Sequence, residues 1–342
     1  MHDDFDPDAP GHPGPESLFG LPHTPEEAAL VVIPVPFEAT TSYGRGTALA
    51  PDLVRVASAQ VELNDPDTGE PWRQGIDIES VDPRIVAWNE EACALAIPVI
   101  EAGGAKTDAH QVAVARVNAI GDLLNDAVYK KTVDLFARGK IPAVLGGDHS
   151  VPFGAIRAAA ERFPGVGLLH VDAHADFREA YEGFTWSHAS IMHNVVERID
   201  GLGHLVQVGL RDVSRGEAAR LANYERITSL TDTEITWELG SGEPWQRLCA
   251  RLLRNLPQQV WVTFDVDGLD PSLCPNTGTP VPGGLRWREV MQMFHELGER
   301  GHTIVGFDLC EVGNGRWDAI VGARLLYKLA GWALTTQKAS GS

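Results

Sequence analysis

Val166-Gly167-Leu168-Leu169-His170-Val171-Asp172-Ala173-His174-Ala175-Asp176 runs from a short apolar stretch straight into three metal-binding types of side chain at alternate positions. Its first six residues have the length and composition of a strand buried on both faces, as parallel sheets require. Side chains two apart in an extended segment point the same way, so Asp172, His174 and Asp176 converge on one pocket beyond the strand. In an open parallel sheet functional groups collect at that carboxyl end.

Working outward, apolar runs of the same kind recur at residues 28–35 (AALVVIPV), 141–145, 204–208, 259–264 and 303–308. Stretches with helical spacing lie among them, at 111–138, 153–162, 245–255, 287–300 and 316–334. Strands alternating with helices predict an α/β protein with a largely parallel sheet covered on both faces. Residues 1–27 are rich in Pro, Gly and Asp, which predicts a flexible N-terminal arm without a fold of its own. Residues 28–338 then form a single domain, with residues 60–110 read as an insertion on the sheet and 87–100 as helical within it. Self-similarity at a period of 20 to 50 residues, the mark of a solenoid or propeller, is not found in the sequence.

The 342 residues hold 28 Lys and Arg against 47 Asp and Glu, a formal charge of −19 that repels a phosphate backbone and argues against nucleic acid as a partner. A hydrophobic share of 44% with 22% charged residues suits a globular enzyme and not a disordered chain. Cys93, Cys249, Cys274 and Cys310 lack CxxC spacing, and the acidic, proline-rich start is unlike a signal peptide. With no apolar run of membrane-spanning length, a cytoplasmic protein without membrane contact is expected.

Two more polar clusters follow predicted strands: Gly146-Gly147-Asp148-His149-Ser150 and Asp265-Val266-Asp267-Gly268-Leu269-Asp270-Pro271. Asp172, Asp176, Asp265 and Asp267, with His149 and His174, would place four carboxylates and two imidazoles in one pocket. Such carboxylates repel unless cations neutralise them, and two divalent ions match the charge. Oxygen-rich ligation with one imidazole per ion suits Mn²⁺, with Ni²⁺, Co²⁺ and Zn²⁺ as alternatives. A pair of ions lowers the pKa of a shared water and so supplies a nucleophile for hydrolysis.

In order and separation, GGDHS, DAHAD and DVDGLDP resemble the ureohydrolases: arginases, agmatinases, formimidoylglutamases and relatives. The resemblance extends from about Val31 to Leu334 and takes in Thr41-Ser42-Tyr43-Gly44-Arg45-Gly46-Thr47 and Val321-Gly322-Ala323-Arg324. It implies a three-layer α/β/α arginase-like fold with a mainly parallel eight-stranded sheet, assembled as homo-oligomeric trimers or hexamers. It also implies a ligand set: His149 and Asp176 on one ion, His174 and Asp267 on the other, Asp172 and Asp265 shared. Glu311 matches the carboxylate that pairs with the substrate guanidinium and holds its carbon in place. His188, in Trp186-Ser187-His188-Ala189-Ser190, matches a histidine that carries protons to the leaving amine, with Ala189 where many members have Gly. His188, Glu311 and Asp176 are thus the candidate catalytic residues, and Asp148 and Asp270 orient loops. His170 reads as a packed strand residue, and His193, His204, His295 and His302 lack a partner motif.

The loop from Phe177 to Trp186 departs from the arginases, which hold the substrate α-carboxylate with an Asn two positions after the last Asp and a Ser shortly before the histidine. Arg178 and Thr185-Trp186 stand there instead. The pattern is similar to a subgroup of agmatinases, which implies a small cationic guanidino substrate, agmatine, cleaved to putrescine and urea. Arg178 and Trp186 join Glu311 as candidate substrate-binding residues. Other readings stay open. Phe177, Tyr181, Phe184 and Trp186 would line an apolar pocket for guanidine or a small alkylguanidine, as in nickel-using guanidine hydrolases. Arg178 would hold the carboxylate of guanidinobutyrate or formimidoylglutamate, or would form an i,i+4 surface pair with Glu182. Two rivals belong to other classes. A non-catalytic subunit supporting an active paralogue in a mixed oligomer would not need the intact ligand set, and a single-zinc amide hydrolase of deacetylase type has no use for His149.

Overall fold

The computed structural model describes residues 5–9, 11 and 17–340. Its eight strands are β1 (Leu30–Val35), β2 (Ile76–Ile78), β3 (Ile141–Gly146), β4 (Gly167–Val171), β5 (Leu205–Leu210), β6 (Ile227–Thr231), β7 (Gln259–Asp265) and β8 (Thr303–Cys310). All pair in parallel in the order β2-β1-β3-β8-β7-β4-β5-β6. The four central strands, β3, β8, β7 and β4, are those whose carboxyl ends carry the polar clusters and Glu311. Their adjacency gathers residues spread over nearly half of the chain.

Helices cover both faces, which makes the fold three-layered. One side carries α2 (Pro83–Glu101), α3 (Asp108–Ala137), α4 (Phe153–Arg162) and α5 (Ile191–Arg198); Ile85, Ile120, Ile156 and Val195 pack there with Val31, Ile33 and Val144. The other carries α1 (Ala50–Ser58), α7 (Asp232–Gly240), α8 (Trp245–Leu252), α9 (Trp287–Glu299) and α10 (Arg316–Ser340); Val54, Leu248, Val290 and Leu325 pack there with Leu30, Val32 and Val262. A short helix, α6 (Arg215–Leu221), is fixed by a capping box between Ser214 and Glu217. Alternate residues of one strand enter different cores, which is why the strands read as unbroken apolar runs.

The six predicted strands are present, and the two unforeseen ones, β2 and β6, are the sheet's edges. β2 is only Ile-Asp-Ile, and β6 is Ile-Thr-Ser-Leu-Thr with four of its five residues partly exposed. An edge strand pairs on one side only and needs less apolar length, so neither gives the buried-run signal. Residues 60–110 therefore differ from the insertion expected of them. They complete the sheet through β2 and cover it through α2, whose Asp82 cap accepts from the Arg84 amide. The N-terminal segment is anchored after residue 17. Leu18, Phe19 and Leu21 are buried, and Phe19 lies edge-on to Tyr327 at 4.8 Å. The rest of the expected arm lies partly outside the described residues. Among those residues no helix is long and apolar enough to cross a membrane.

Candidate metal centre

The turn after β3 can pass so close to its neighbour because it starts with glycine: a Cβ on Gly147 would stand 1.8 Å from the Phe37 carbonyl oxygen. Asp148, fully buried, then accepts from the Ser150 amide and hydroxyl at 3.0 and 2.5 Å and from Thr40, fixing the turn that projects His149. His149 Nδ1 lies 3.1 Å from Asp172, 3.2 Å from Asp176 and 3.5 Å from Asp265. Across the pocket, His174 Nδ1 lies 2.9 Å from Asp267 and 3.5 Å from the other oxygen of Asp172. All six expected ligands thus meet in one cluster, buried except for part of His174, with Asp172 facing both imidazoles through different oxygens, as a shared ligand can. Asp176 reaches back by adopting a left-handed backbone, φ 53°, which a non-glycine residue takes only where its surroundings enforce it.

The electrostatics fit a pair of divalent ions. Burial, with the charge of Asp172 added, pushes Asp176 up to about 8, and burial with neighbouring carboxylates raises Asp265 and Asp267 as well. Asp172 is held well below the usual range: burial opposes its charge, but His170, His149 and His174 outweigh it. His174 rises to about 12, Asp267 and Asp172 overcoming the burial that would lower it, and His149 is raised against its burial by Asp172, Asp176 and Asp308. Without dications the cluster balances its charge with protons, and oxygen and imidazole donors are what hard or borderline dications take up.

Glu311 follows β8, also with a left-handed backbone, φ 62°. Its amide donates to Gly147 O at 2.8 Å and its Oε1 accepts from the His149 amide at 3.1 Å, while Oε2 is buried with no hydrogen-bond partner. A Cβ on Gly278 would come within 3.0 Å of that Oε2, so the glycine leaves its unsatisfied side clear. Burial first, then Asp148 and Asp267, raise the Glu311 carboxyl well above its usual range. An orphaned buried acceptor is costly, and a cationic N–H donor relieves it.

His188 donates its amide to Thr40 Oγ1 at 3.1 Å, and its ring nitrogens lie 3.5 Å from the hydroxyls of Thr40 and Ser42. Burial, then the charge of His174, lower it to about 4, so the imidazole is neutral and can accept a proton. A cavity of about 220 Å³ reaches this point, lined by His174, Asp176, Arg178, Tyr181, His188 and Asp212 among others.

The loop beyond Asp176 differs from expectation in three ways. Trp186 is not brought to the cavity; its Nε1 donates to Asp122 at 2.8 Å and its ring packs against Phe153 at 4.7 Å. Phe177 and Phe184 are fully buried elsewhere, so of the four aromatics only Tyr181 lines the cavity, and they form no common apolar pocket. Arg178 does reach it, but stacks on Tyr181 at 4.7 Å and lies 3.8 Å from Glu217, in place of the surface pair with Glu182.

Several contributing residues went unread in the sequence. Arg211 donates to the carbonyls of Asp267, Leu269, Gly209 and Val281 at 2.6 to 3.1 Å, clasping the third cluster. Asp212 and Glu217 follow β5, where the strand-end rule would have found them. Thr40 adjoins, and Ser42 belongs to, the stretch Thr41–Thr47, which was noticed without a role. Asp270 caps a turn through the Ser272 amide, and His204 and His302 make ordinary hydrogen bonds to Thr228 and Pro257. His193 lies near Arg220 and His295 packs against Trp332, both away from the centre.

Carboxylates and imidazoles gathered at the carboxyl ends of a parallel sheet in three layers define a class, the metal-dependent α/β/α hydrolases. Within that class the chain belongs to the arginase family, whose members act on guanidino C–N bonds and which matches residues 28–330. It is 32% identical over 317 residues to an N(1)-aminopropylagmatine ureohydrolase of Thermus thermophilus, covering 92% of this chain and 94% of that protein. An agmatinase of Pyrococcus horikoshii is 29% identical over 311 residues, with 90% and 92% covered. The crystal structure of an agmatine ureohydrolase of Thermoplasma volcanium superposes with a TM-score of 0.72 at 25% identity, over 95% of this chain and 97% of that one.

Proposed function

We propose that this protein hydrolyses agmatine, or a closely similar guanidino amine, to urea and the free amine. The polar balance of the cavity carries the reading. Arg178, the one arginine or lysine among its described lining residues, is taken up by Tyr181 and Glu217, while Asp212 leaves its carboxylate largely exposed, 4.0 Å from His174. A substrate with a distal ammonium finds an acceptor there, and one with a distal carboxylate finds repulsion. The names of the Thermus and Pyrococcus relatives, both of which act on guanidino amines, support the same choice.

In this reading His149, Asp176, His174 and Asp267 hold two divalent ions, with Asp172 and Asp265 shared, and Mn²⁺ suits the donors best with Ni²⁺ second. Bound ions neutralise the carboxylates and lower the pKa of a water. Glu311 Oε2 accepts from the guanidinium and fixes its plane, while Oε1 stays with the His149 amide. His188, neutral and flanked by hydroxyls, accepts a proton and delivers it to the leaving amine. A cytoplasmic homo-oligomer of three or six chains belongs to the same proposal.

The test is urea release from agmatine, N(1)-aminopropylagmatine, 4-guanidinobutyrate, arginine and guanidine, with the protein loaded with Mn²⁺ or Ni²⁺. Highest kcat/KM on agmatine or its aminopropyl derivative is expected. Preference for guanidinobutyrate or guanidine would overturn the substrate, and inertness toward all of them would favour the non-catalytic subunit.

A further inference from the structure

Beneath the metal centre the sheet carries a line of polar residues in register across five neighbouring strands. Ser229 of β6 pairs with Gln207 of β5, Gln207 with His170 of β4, His170 with Thr263 of β7, and Thr263 with Asp308 of β8. The next partner, Val144 of β3, returns to apolar character. Gln207, His170, Thr263 and Asp308 have no exposed surface. Buried polar groups in mid-sheet are expensive unless satisfied, so their donors and acceptors must match.

They match in only one sense. Gln207 Oε1 accepts from Ser229 at 3.1 Å, and its amide nitrogen donates to the Ala175 carbonyl and to His170 Nδ1, both at 3.0 Å. The Ala175 carbonyl can only accept, which fixes the amide orientation and makes His170 Nδ1 an acceptor. His170 Nε2 therefore carries the proton and donates to Asp172 at 2.8 Å. At the other end both oxygens of Asp308 accept, from Trp261 Nε1 at 2.7 Å and from the Thr263 hydroxyl at 2.9 Å. Having donated, Thr263 Oγ1 can only accept from His149 Nε2, 2.9 Å away.

We propose that this row is a positioning layer that presents His149 Nδ1 to the metal pocket and keeps His170 as a hydrogen-bond donor to the shared ligand Asp172. It rests on the metal-centre reading, not on the choice of substrate. His170 lies as close to the cluster as a ligand would, grouped with His149, Asp172 and Asp176, and the polarity of Gln207 is what excludes it from ligation. His170, Gln207, Thr263 and Asp308 act through the ligands and do not touch substrate.

The test compares Thr263→Val, Thr263→Ser and Gln207→Glu by metal affinity under chelator competition, with ¹⁵N spectra of the histidine rings in the Zn²⁺-loaded, diamagnetic protein. Thr263→Val should weaken the ion held by His149 about 10- to 100-fold and leave the ion at His174 and Asp267 in place, while Thr263→Ser restores binding. Gln207→Glu removes the donor facing His170 Nδ1 and should change the His170 ring signals. In the wild type His170 should show a protonated Nε2 and no metal-shifted nitrogen. A metal-shifted His170 nitrogen, or wild-type affinity for both ions in Thr263→Val, would overturn the proposal. So would equal weakening of both ions in Thr263→Val and Thr263→Ser, the mark of a merely structural role. If Thr263→Val does not fold, the His170 signals of the wild type and Gln207→Glu decide.

Discussion

Residues 172–176 and 177–187 leave the same strand end, yet they are built on different terms. In the first stretch each ligand is tied from several sides: Asp172 accepts from the His174 amide at 2.6 Å, and Asp267 accepts from the Ala173 amide at 3.0 Å. The second is a loop closed by paired backbone bonds between Tyr181 and Phe184 and pegged down by Phe184 and Trp186, with Arg178 and Tyr181 left facing the cavity. The ligand cluster is held by the sheet, whereas the loop settles only which of its side chains, Arg178 and Tyr181, line the cavity beside it. A family can keep the first and vary the second.

That contrast breaks most sharply at the ligands. Asp265→Ala or His149→Ala should lose metal, read by elemental analysis, and with it all detectable urea release. Next comes a change that spares the metal. Glu311→Gln should keep the wild-type metal content while kcat/KM falls roughly 10²- to 10³-fold, because the acceptor proposed to face the guanidinium loses its charge. Metal loss in Glu311→Gln would place that carboxylate among the ligands instead.

The proton-filled cluster predicts a smaller, distinctive effect. Asp265, Asp267 and Glu311 are raised by burial and neighbouring charges, and Asp176 to about 8, whereas in the unfolded chain they ionise near pH 4. Above that pH the folded, metal-free chain holds more protons than the unfolded one, so its stability falls as pH rises. His174, raised from 6.5 to about 12, adds to the same slope above neutrality, while Asp172, lowered, acts in the opposite sense only under about pH 4 and His188, lowered to about 4, opposes it only up to about pH 6.5. Thermal unfolding in chelator should show Tm falling from pH 5 to 9, and added Mn²⁺ should flatten or reverse the trend. A flat profile in chelator would contradict it.

The smallest effect is expected in the loop. Trp186→Phe removes the bond to Asp122 and should cost about 1 kcal/mol in denaturant unfolding with kinetic constants unchanged. A large rise in KM would return Trp186 to the cavity.

The same contrast explains what the sequence made legible. Alternating Asp and His at strand ends declared the centre because strand geometry converts a period of two directly into a shared direction. The central strands were legible because burial on both faces demands unbroken apolar runs. β2 and β6 were not, since an edge strand of three or five residues carries too little apolar length. Trp186 and the Arg178 partner were not, because rotamers and long-range partners in a loop leave no local pattern. Gln207, Thr263 and Asp308 were hidden among apolar neighbours, and their meaning emerged only when cross-strand register put them in one row.

The central claim, that this ligand cluster holds a pair of ions for hydrolysis of a guanidino C–N bond, is tested most directly by metal content measured alongside urea release. Protein loaded with Mn²⁺, freed of excess metal and assayed with agmatine should hold two ions per chain, and urea release should disappear and return with their removal and restoration. One ion per chain at full activity, or urea release that survives complete metal removal, would contradict it.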